Sequence, residues 1–180
     1  DSTGAGAVVA VIDTGVSDGG ADAVTLTGTG YDFVSNDSNP ADANGHGTHV
    51  AGTVAQATDN GTGVAGVAYD AEVMAVRVLN SRGTGTTSDI VDGIVHAADN
   101  GADVINLSLG SSFGSSSQES AIEYAAAAGL VIVAAAGNNG SSSGVLYPAR
   151  FDDVIAVGAT RYDDTLAYYS NHGTGLDVVA

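Results

Sequence analysis

The segment Asn44-Gly45-His46-Gly47-Thr48-His49-Val50-Ala51-Gly52 sets a histidine between two glycines, at the opening of a run with helical spacing. Glycine on both sides permits a tight turn and leaves the imidazole uncovered. A side chain whose ordinary pKa lies near neutrality can take and return a proton there, provided a substrate reaches it. A solvated turn histidine is the plain alternative for this segment alone. Two further segments carry complementary chemistry. Ala7-Val8-Val9-Ala10-Val11-Ile12 is an unbroken apolar run ending in Asp13-Thr14-Gly15, the pattern of a strand buried on both faces. Asp13 would then stand at the carboxyl edge of a parallel sheet, where such sheets carry ligands, although Asp-Thr-Gly can also open a turn. Downstream, Val131-Ile132-Val133-Ala134-Ala135-Ala136 runs into Gly137-Asn138-Asn139-Gly140. Asn138 is a neutral amide donor at a second strand end, able to hold a developing oxyanion or to mark a turn. Three polar groups of complementary chemistry, each at the end of an apolar run or the start of a helix, are hard to obtain by chance.

The elements that would carry these groups follow from the apolar pattern. Runs at 7–12, 73–79, 104–109, 130–136 and 154–159 predict five buried strands. Helical spacing predicts helices at 46–57, at 87–99 with Ser88 or Thr87 as cap, and at 118–128. The alternation predicts an α/β chain, a three-layer sandwich with a mostly parallel central sheet and helices on both faces. The Gly-Ser-rich stretches 110–117 and 137–144 read as loops, because the apolar pattern resumes at once, and residues 1–180 read as one domain without repeats.

Val11-Ile12-Asp13-Thr14-Gly15, Asn44 through Gly52, and Ala134-Ala135-Ala136-Gly137-Asn138 together resemble the aspartate, histidine and oxyanion motifs of the subtilisin-like serine proteases, in that order along the chain. Tyr31-Asp32-Phe33-Val34 and Asn36-Asp37-Ser38-Asn39-Pro40 resemble the thermitase and halolysin-like branch. The resemblance implies a serine endopeptidase in which Asp13 supports His46, His46 moves the proton and Asn138 binds the oxyanion. It implies an extended polypeptide substrate held by Gly83-Thr84-Gly85 and Ser108-Leu109-Gly110, with a side-chain pocket near Ala136, Gly137 and Leu146. The family's Gly-Thr-Ser-Met-Ala nucleophile segment does not occur in these 180 residues. The sequence is therefore expected to be a core cut at both ends, its serine lying in a missing C-terminal part. Ser108 does not substitute, since Asn106-Leu107-Ser108-Leu109-Gly110 lacks the first glycine of a Gly-x-Ser-x-Gly elbow. The alternative is a catalytically silent, calcium-binding scaffold or binding domain derived from the same fold. A nucleotide-binding domain is disfavoured, because Asp13 stands where a Gly-x-Gly-x-x-Gly loop would follow the first strand.

Two acidic loops could hold a cation. Asp32, Asp37 and Asp42, with Asn36 and Asn39 interleaved, place hard oxygen donors on a turn-rich segment suited to Ca²⁺. In the resembling branch the matching loop binds calcium; Asp32, Asp37 and Asn39 fall on matching positions, whereas Ser35 and Ala41 replace side-chain ligands and Asp42 would compensate. The loop from Ala57 to Val64 resembles the family's tight calcium loop, which implies a side-chain oxygen from Asn60, carbonyls from Ala57, Thr62 and Val64, and a bidentate carboxylate from Asp22. Both loops could instead be merely solvated. His49 would pack or hydrogen-bond behind His46, while His96 and His172 read as ordinary surface residues.

Four basic residues against twenty-one acids give a net charge of −17. Phosphates and anionic lipid surfaces would be repelled, which argues against nucleic acid or a membrane as partner; cations and saline surroundings are favoured. With no cysteine, disulfides and thiolate chemistry are excluded. No apolar run reaches membrane-spanning length and no signal peptide leads the sequence. The resemblance implies a secreted, extracellular enzyme, here in mature or trimmed form, acting as a monomer.

Overall fold

The computed structural model describes residues 2–17, 20–142 and 144–180. The chain divides into two compact units, residues 1–105 and 106–180.

In the first unit, β1 (Val8–Asp13) pairs in parallel with β3 (Glu72–Arg77), from Val8 opposite Glu72 to Asp13 opposite Arg77. A two-residue strand, β2 (Tyr31–Asp32), adds in parallel to the far side of β3, giving the order β2-β3-β1. Side chains alternate across a strand, so each face of this sheet acquires its own core. On one face Val9, Val11, Val73 and Ala75 pack with Ala51 and Ala55 of α1 (His46–Ala55). On the other, α2 (Thr87–Asp99) lies against Ile12, Val76 and Val78. The two approach closely at Gly93, where a methyl carbon would stand 2.7 Å from Val78 Cγ1 and 3.3 Å from Ile12 Cγ2. A helical glycine costs about 0.5–1 kcal/mol relative to alanine. Here it lets Ile94 and Ala97 become fully buried, and one buried isoleucine contributes about 1.5–3 kcal/mol. Helix, sheet and helix thus form three layers, and the sheet delivers Asp13 to its carboxyl edge.

β4 (Val104–Leu107) spans the division between the units. In the second, α3 (Ser116–Ala127) buries Ala121, Ile122 and Ala125. It ends in a Schellman turn: Gly129, at φ 96°, donates its N–H to the Ala126 carbonyl, and Leu130 donates to Ala125. That reversal starts β5 (Val131–Ala135), which pairs in parallel with β6 (Ile155–Gly158), and β6 with the short exposed β7 (Val178–Val179). Asn138 lies three residues beyond β5.

Several boundaries differ from the sequence expectation. The first helix stops at Ala55 rather than 57, and the third begins at Ser116 rather than 118. The cap of α2 is Thr86, not Thr87 or Ser88; its hydroxyl accepts the Asp89 N–H at 3.1 Å. β2 and β7 went unpredicted, because two residues carry no periodicity to read. Of the loop expected at 137–144, Ser143 lies outside the described residues.

Candidate active site

Asp13 closes β1 with its side chain fully buried, and its Oδ1 lies 2.7 Å from His46 Nδ1. The same oxygen accepts the Thr14 N–H at 2.7 Å. The His46 side chain is 50% exposed. With Nδ1–H donating to the carboxylate, neutral imidazole keeps the lone pair on Nε2, the atom a general base must offer.

The placement of His46 depends on how α1 begins. The first N–H groups of a helix have no partner within it, and Gly45, at φ 105°, has no side chain with which to cap them. Neighbouring side chains fill the role. Asn44 Oδ1 accepts the N–H of His46, Thr14 Oγ1 that of Gly47, and Asp42 Oδ2 that of Thr48. Asp42 Oδ1 also accepts from Asn44 and Gly45 at 2.8 and 2.9 Å, and Oδ2 accepts the Thr48 hydroxyl at 2.6 Å. Burial pushes the Asp42 carboxyl up, but these hydrogen bonds outweigh it and bring its pKa down to about 2. Gly47 itself has no room for a side chain, since a methyl carbon would stand 2.2 Å from the Gly15 carbonyl oxygen. Asn44 Nδ2 reaches the Ser81 carbonyl, linking this turn to the one at 80–84. There Asn80 N–H donates to the Thr84 carbonyl and Gly83 N–H to Asn80, so Gly83-Thr84-Gly85 leaves a closed turn rather than a strand.

Asp42 is thus engaged with the helix start and does not compensate in a cation loop. Asp32 is engaged too: buried, its Oδ2 is 2.7 Å from Arg77 Nη1, and its Oδ1 accepts the N–H groups of Val34 and Ser35. Asp37 Oδ1 accepts the Asn39 N–H, the two residues lying exposed on the same loop. In the other loop, Asp22 receives Gln56 Nε2 on Oδ2 and Asn60 Nδ2 on Oδ1, and Asn60 Oδ1 accepts the Thr62 N–H. A methyl carbon at Gly63 would collide with both Asp22 Oδ2 and Gln56 Nε2. Residues 57–65, among them Ala57, Thr62 and Val64, line a cavity of about 230 Å³. Among the described residues no three acidic or histidine side chains converge as a metal cluster. The Asp22 loop nonetheless fits a hard cation by composition, with one carboxylate, amide oxygens and loop carbonyls around a cradle that only glycine permits. Gln56 was not anticipated; lying at a helix end, it gave no signal until the fold brought Asp22 beside it.

In the second unit Asn138 is exposed on the turn after β5. Leu146 packs between two glycines of the expected substrate segments. A methyl carbon at Gly110 would lie 3.2 Å from its Cβ, and one at Gly137 would lie 2.8 Å from its Cγ. Its N–H donates to the Ala136 carbonyl, which ties it to the end of β5. Leu109 is half-buried, and Ser108 Oγ accepts Asn106 Nδ2 at 2.9 Å; an amide donor activates no hydroxyl.

Three histidines lie outside the Asp13–His46 pair. His49 is exposed and lines a cavity of about 220 Å³ with Val16, Asp22 and Gln56. His96 is no plain surface residue: its Nε2 contacts the Thr29 carbonyl, and its ring lies 5.7 Å from those of Tyr31 and Phe33. His172 Nδ1 contacts the Ser170 carbonyl.

An acid–imidazole pair at the edge of a parallel α/β sheet defines the class, and comparison with known proteins agrees. The model of the Subtilase family matches residues 4–180. The chain belongs to the subtilase family. It is 53% identical over 175 residues to a thermophilic serine proteinase of Bacillus sp. (strain AK1), covering 97% of this chain and 43% of that protein. Against thermitase of Thermoactinomyces vulgaris it is 46% identical over 177 residues, 98% of this chain and 63% of the relative. The crystal structure of a cold adapted subtilisin-like serine proteinase superposes with a TM-score of 0.89 at 36% identity, covering 100% of this chain and 64% of that one. The α/β subtilisin-like fold read from the sequence stands. The chain spans 43% to 63% of the length of these two relatives.

Proposed function

We propose that this chain supplies the acid, base and oxyanion donor of a serine endopeptidase. The observation that carries the reading is the buried Asp13 carboxylate 2.7 Å from Nδ1 of a half-exposed His46. In the reaction, a serine hydroxyl gives its proton to His46 Nε2 as its oxygen bonds to the scissile carbonyl carbon. Asp13 stabilises the imidazolium so formed, and Asn138 donates to the carbonyl oxygen as it becomes an oxyanion. The imidazolium proton passes to the departing amine, and water then releases the acyl group by the same route. The substrate is a polypeptide whose main chain bonds to Gly83-Thr84-Gly85 and Ser108-Leu109-Gly110 as an added strand, its side chain meeting Ala136, Gly137 and Leu146. Calcium at Asp22, Asn60 and the carbonyls of Ala57, Thr62 and Val64 stabilises the fold, and action is extracellular and monomeric. No Gly-Thr-Ser-Met-Ala segment occurs within residues 1–180, so this reading assigns the nucleophile to none of these residues.

The test joins residues 1–180 to the serine-bearing C-terminal part of thermitase. Casein cleavage and labelling by a fluorophosphonate are expected from the joined protein, with none from residues 1–180 alone. His46→Ala should abolish cleavage, and Asn138→Ala should lower kcat about 10²–10³-fold, a magnitude known from subtilisin itself rather than read from this chain. Stoichiometric labelling of Ser108 in residues 1–180 would overturn the assignment of the nucleophile. A joined protein that folds, binds calcium and cleaves nothing would favour the scaffold reading.

A further inference from the structure

Asn171 is almost fully buried, at 1% exposure, although nothing in its chemistry favours burial. It lies far along the chain from the turn after β5 and grips that turn three times. Its own N–H donates to the Gly137 carbonyl at 2.9 Å. Its side-chain Oδ1 accepts the N–H of Asn139 at 2.9 Å and of Ser141 at 3.2 Å. The first two contacts fall on the residues immediately before and after Asn138. Main chain on both sides of Asn138 is therefore held by one buried residue, while Asn138 itself stays exposed.

Two details show that the turn is built around this residue. Gly137 adopts φ 113°, and a methyl carbon there would stand 2.7 Å from Asn171 Nδ2. The glycine is thus required by the asparagine's position as well as by its own dihedral. The Asn171 Nδ2 group is buried without a hydrogen-bond partner among the described residues. An unmade donor is a burden on the fold, so the amide's contribution here comes from its oxygen. Ser170 secures the asparagine in turn: its N–H donates to Ala167 and its hydroxyl to the Asn171 carbonyl.

We propose that Asn171 is a positioning residue for catalysis, fixing the Gly137–Ser141 turn so that the Asn138 amide is presented in one orientation. An oxyanion donor works because it is already in place when charge develops and need not reorganise. On a loose turn Asn138 would still be present, and substrate would still bind, but the transition state would lose part of its stabilisation. This rests on the endopeptidase reading for its kinetic consequence; the clamp itself does not.

The test uses the full-length gene product in three forms: parent, Asn171→Asp and Asn171→Leu. Asp keeps the oxygen that accepts both N–H groups, whereas Leu keeps the volume and removes the acceptor. Amide hydrogen exchange reads the clamp without any activity. The Asn139 and Ser141 amides should exchange at least tenfold faster in Asn171→Leu and near the parental rate in Asn171→Asp, with β1 amides unchanged in both. Equal rates for these two amides in parent and Asn171→Leu would overturn the proposal. Kinetics reads the consequence: Asn171→Leu should lower kcat by about tenfold with KM nearly constant, and Asn171→Asp should restore most of it. In an Asn138→Ala background the Leu substitution should cost less than twofold more, because its effect passes through Asn138. Full multiplication of the two effects would overturn the positioning role. A parent that cleaves nothing would fall on the endopeptidase reading, and the exchange rates would still decide the clamp.

Discussion

The turn that precedes His46 and the turn that carries Asn138 are both held by side chains gripping main-chain N–H groups, yet the grips differ in chemistry and in range. Before His46 the grip is a carboxylate, Asp42, acting on Asn44, Gly45 and Thr48 within six residues of itself. Around Asn138 it is a neutral amide, Asn171, acting across 30 and 32 residues. The wider surroundings follow the same division. Asp32 with Arg77 and Asp22 with Gln56 and Asn60 are charged arrangements in the first unit, whereas beside the second turn Leu146 packs its side chain between Gly110 and Gly137 and donates its N–H to Ala136. Acid, salt and cations should therefore act on the first turn, and shape changes on the second.

The largest effect expected on that basis comes from Arg77. Replacing it by Met leaves the buried Asp32 carboxylate uncompensated and should cost about 3–5 kcal/mol, read from denaturant unfolding. Adding Asp32→Asn should recover much of that loss; if the double variant is as unstable as the single one, charge is not what the pair contributes. Next is calcium. At about 100 times its dissociation constant, an ion bound only by the folded chain adds roughly 2.7 kcal/mol. Melting curves with millimolar calcium and with chelator should separate, and Asp22→Ala should close the gap. Identical midpoints in the parent would remove calcium from the account of this loop.

A smaller effect should follow the loss of Asp42. Asp42→Ala removes the acceptor for three N–H groups of the helix start and should cost about 1–2 kcal/mol, the range for losing a helix cap. Its pKa of about 2 in the folded chain lies below the ordinary 3.8. The contribution is therefore complete above about pH 4 and lost as pH falls towards 2. The parent should accordingly lose stability across that window more steeply than Asp42→Ala; parallel curves would show that the carboxylate is not the grip. Smallest is Leu146→Gly, which opens space between Gly110 and Gly137. In an active form it should shift preference towards Phe and Tyr over Ala before the scissile bond by up to about tenfold, within the range for a hydrophobic pocket. An unchanged ratio would mean that Leu146 does not face the substrate.

The sequence by itself determines what depends on neighbours along the chain. Apolar runs marked β1, β3, β4, β5 and β6, because strands buried on both faces need continuous apolar sequence. Residue types nominated Asp13, His46 and Asn138, since glycines and strand ends announce themselves locally. Even the Asp42 grip was in principle legible, as Asp, Asn-Gly and Thr lie within one turn of a helix start. In sequence Asp42 reads only as a compensating group in a cation loop, because composition alone cannot tell a carboxylate that accepts N–H groups from one that waits for an ion.

Only the tertiary structure decided which distant residues meet. Parallel pairing of β1 with β3 sets Asp13 opposite Arg77, and the addition of β2 brings Asp32 to that same arginine. Nothing in the sequence around Asn171 marks it, since a lone asparagine between a serine and a histidine reads as any loop. Its burial and its hold on Asn139 and Ser141 exist only once the chain after β6 returns to the end of β5. Local propensity fixes where a backbone turns, and the sequence states it in short stretches. Which buried oxygen satisfies which buried N–H is settled by packing over the whole fold, because each unmade hydrogen bond carries a cost that only a distant partner can remove.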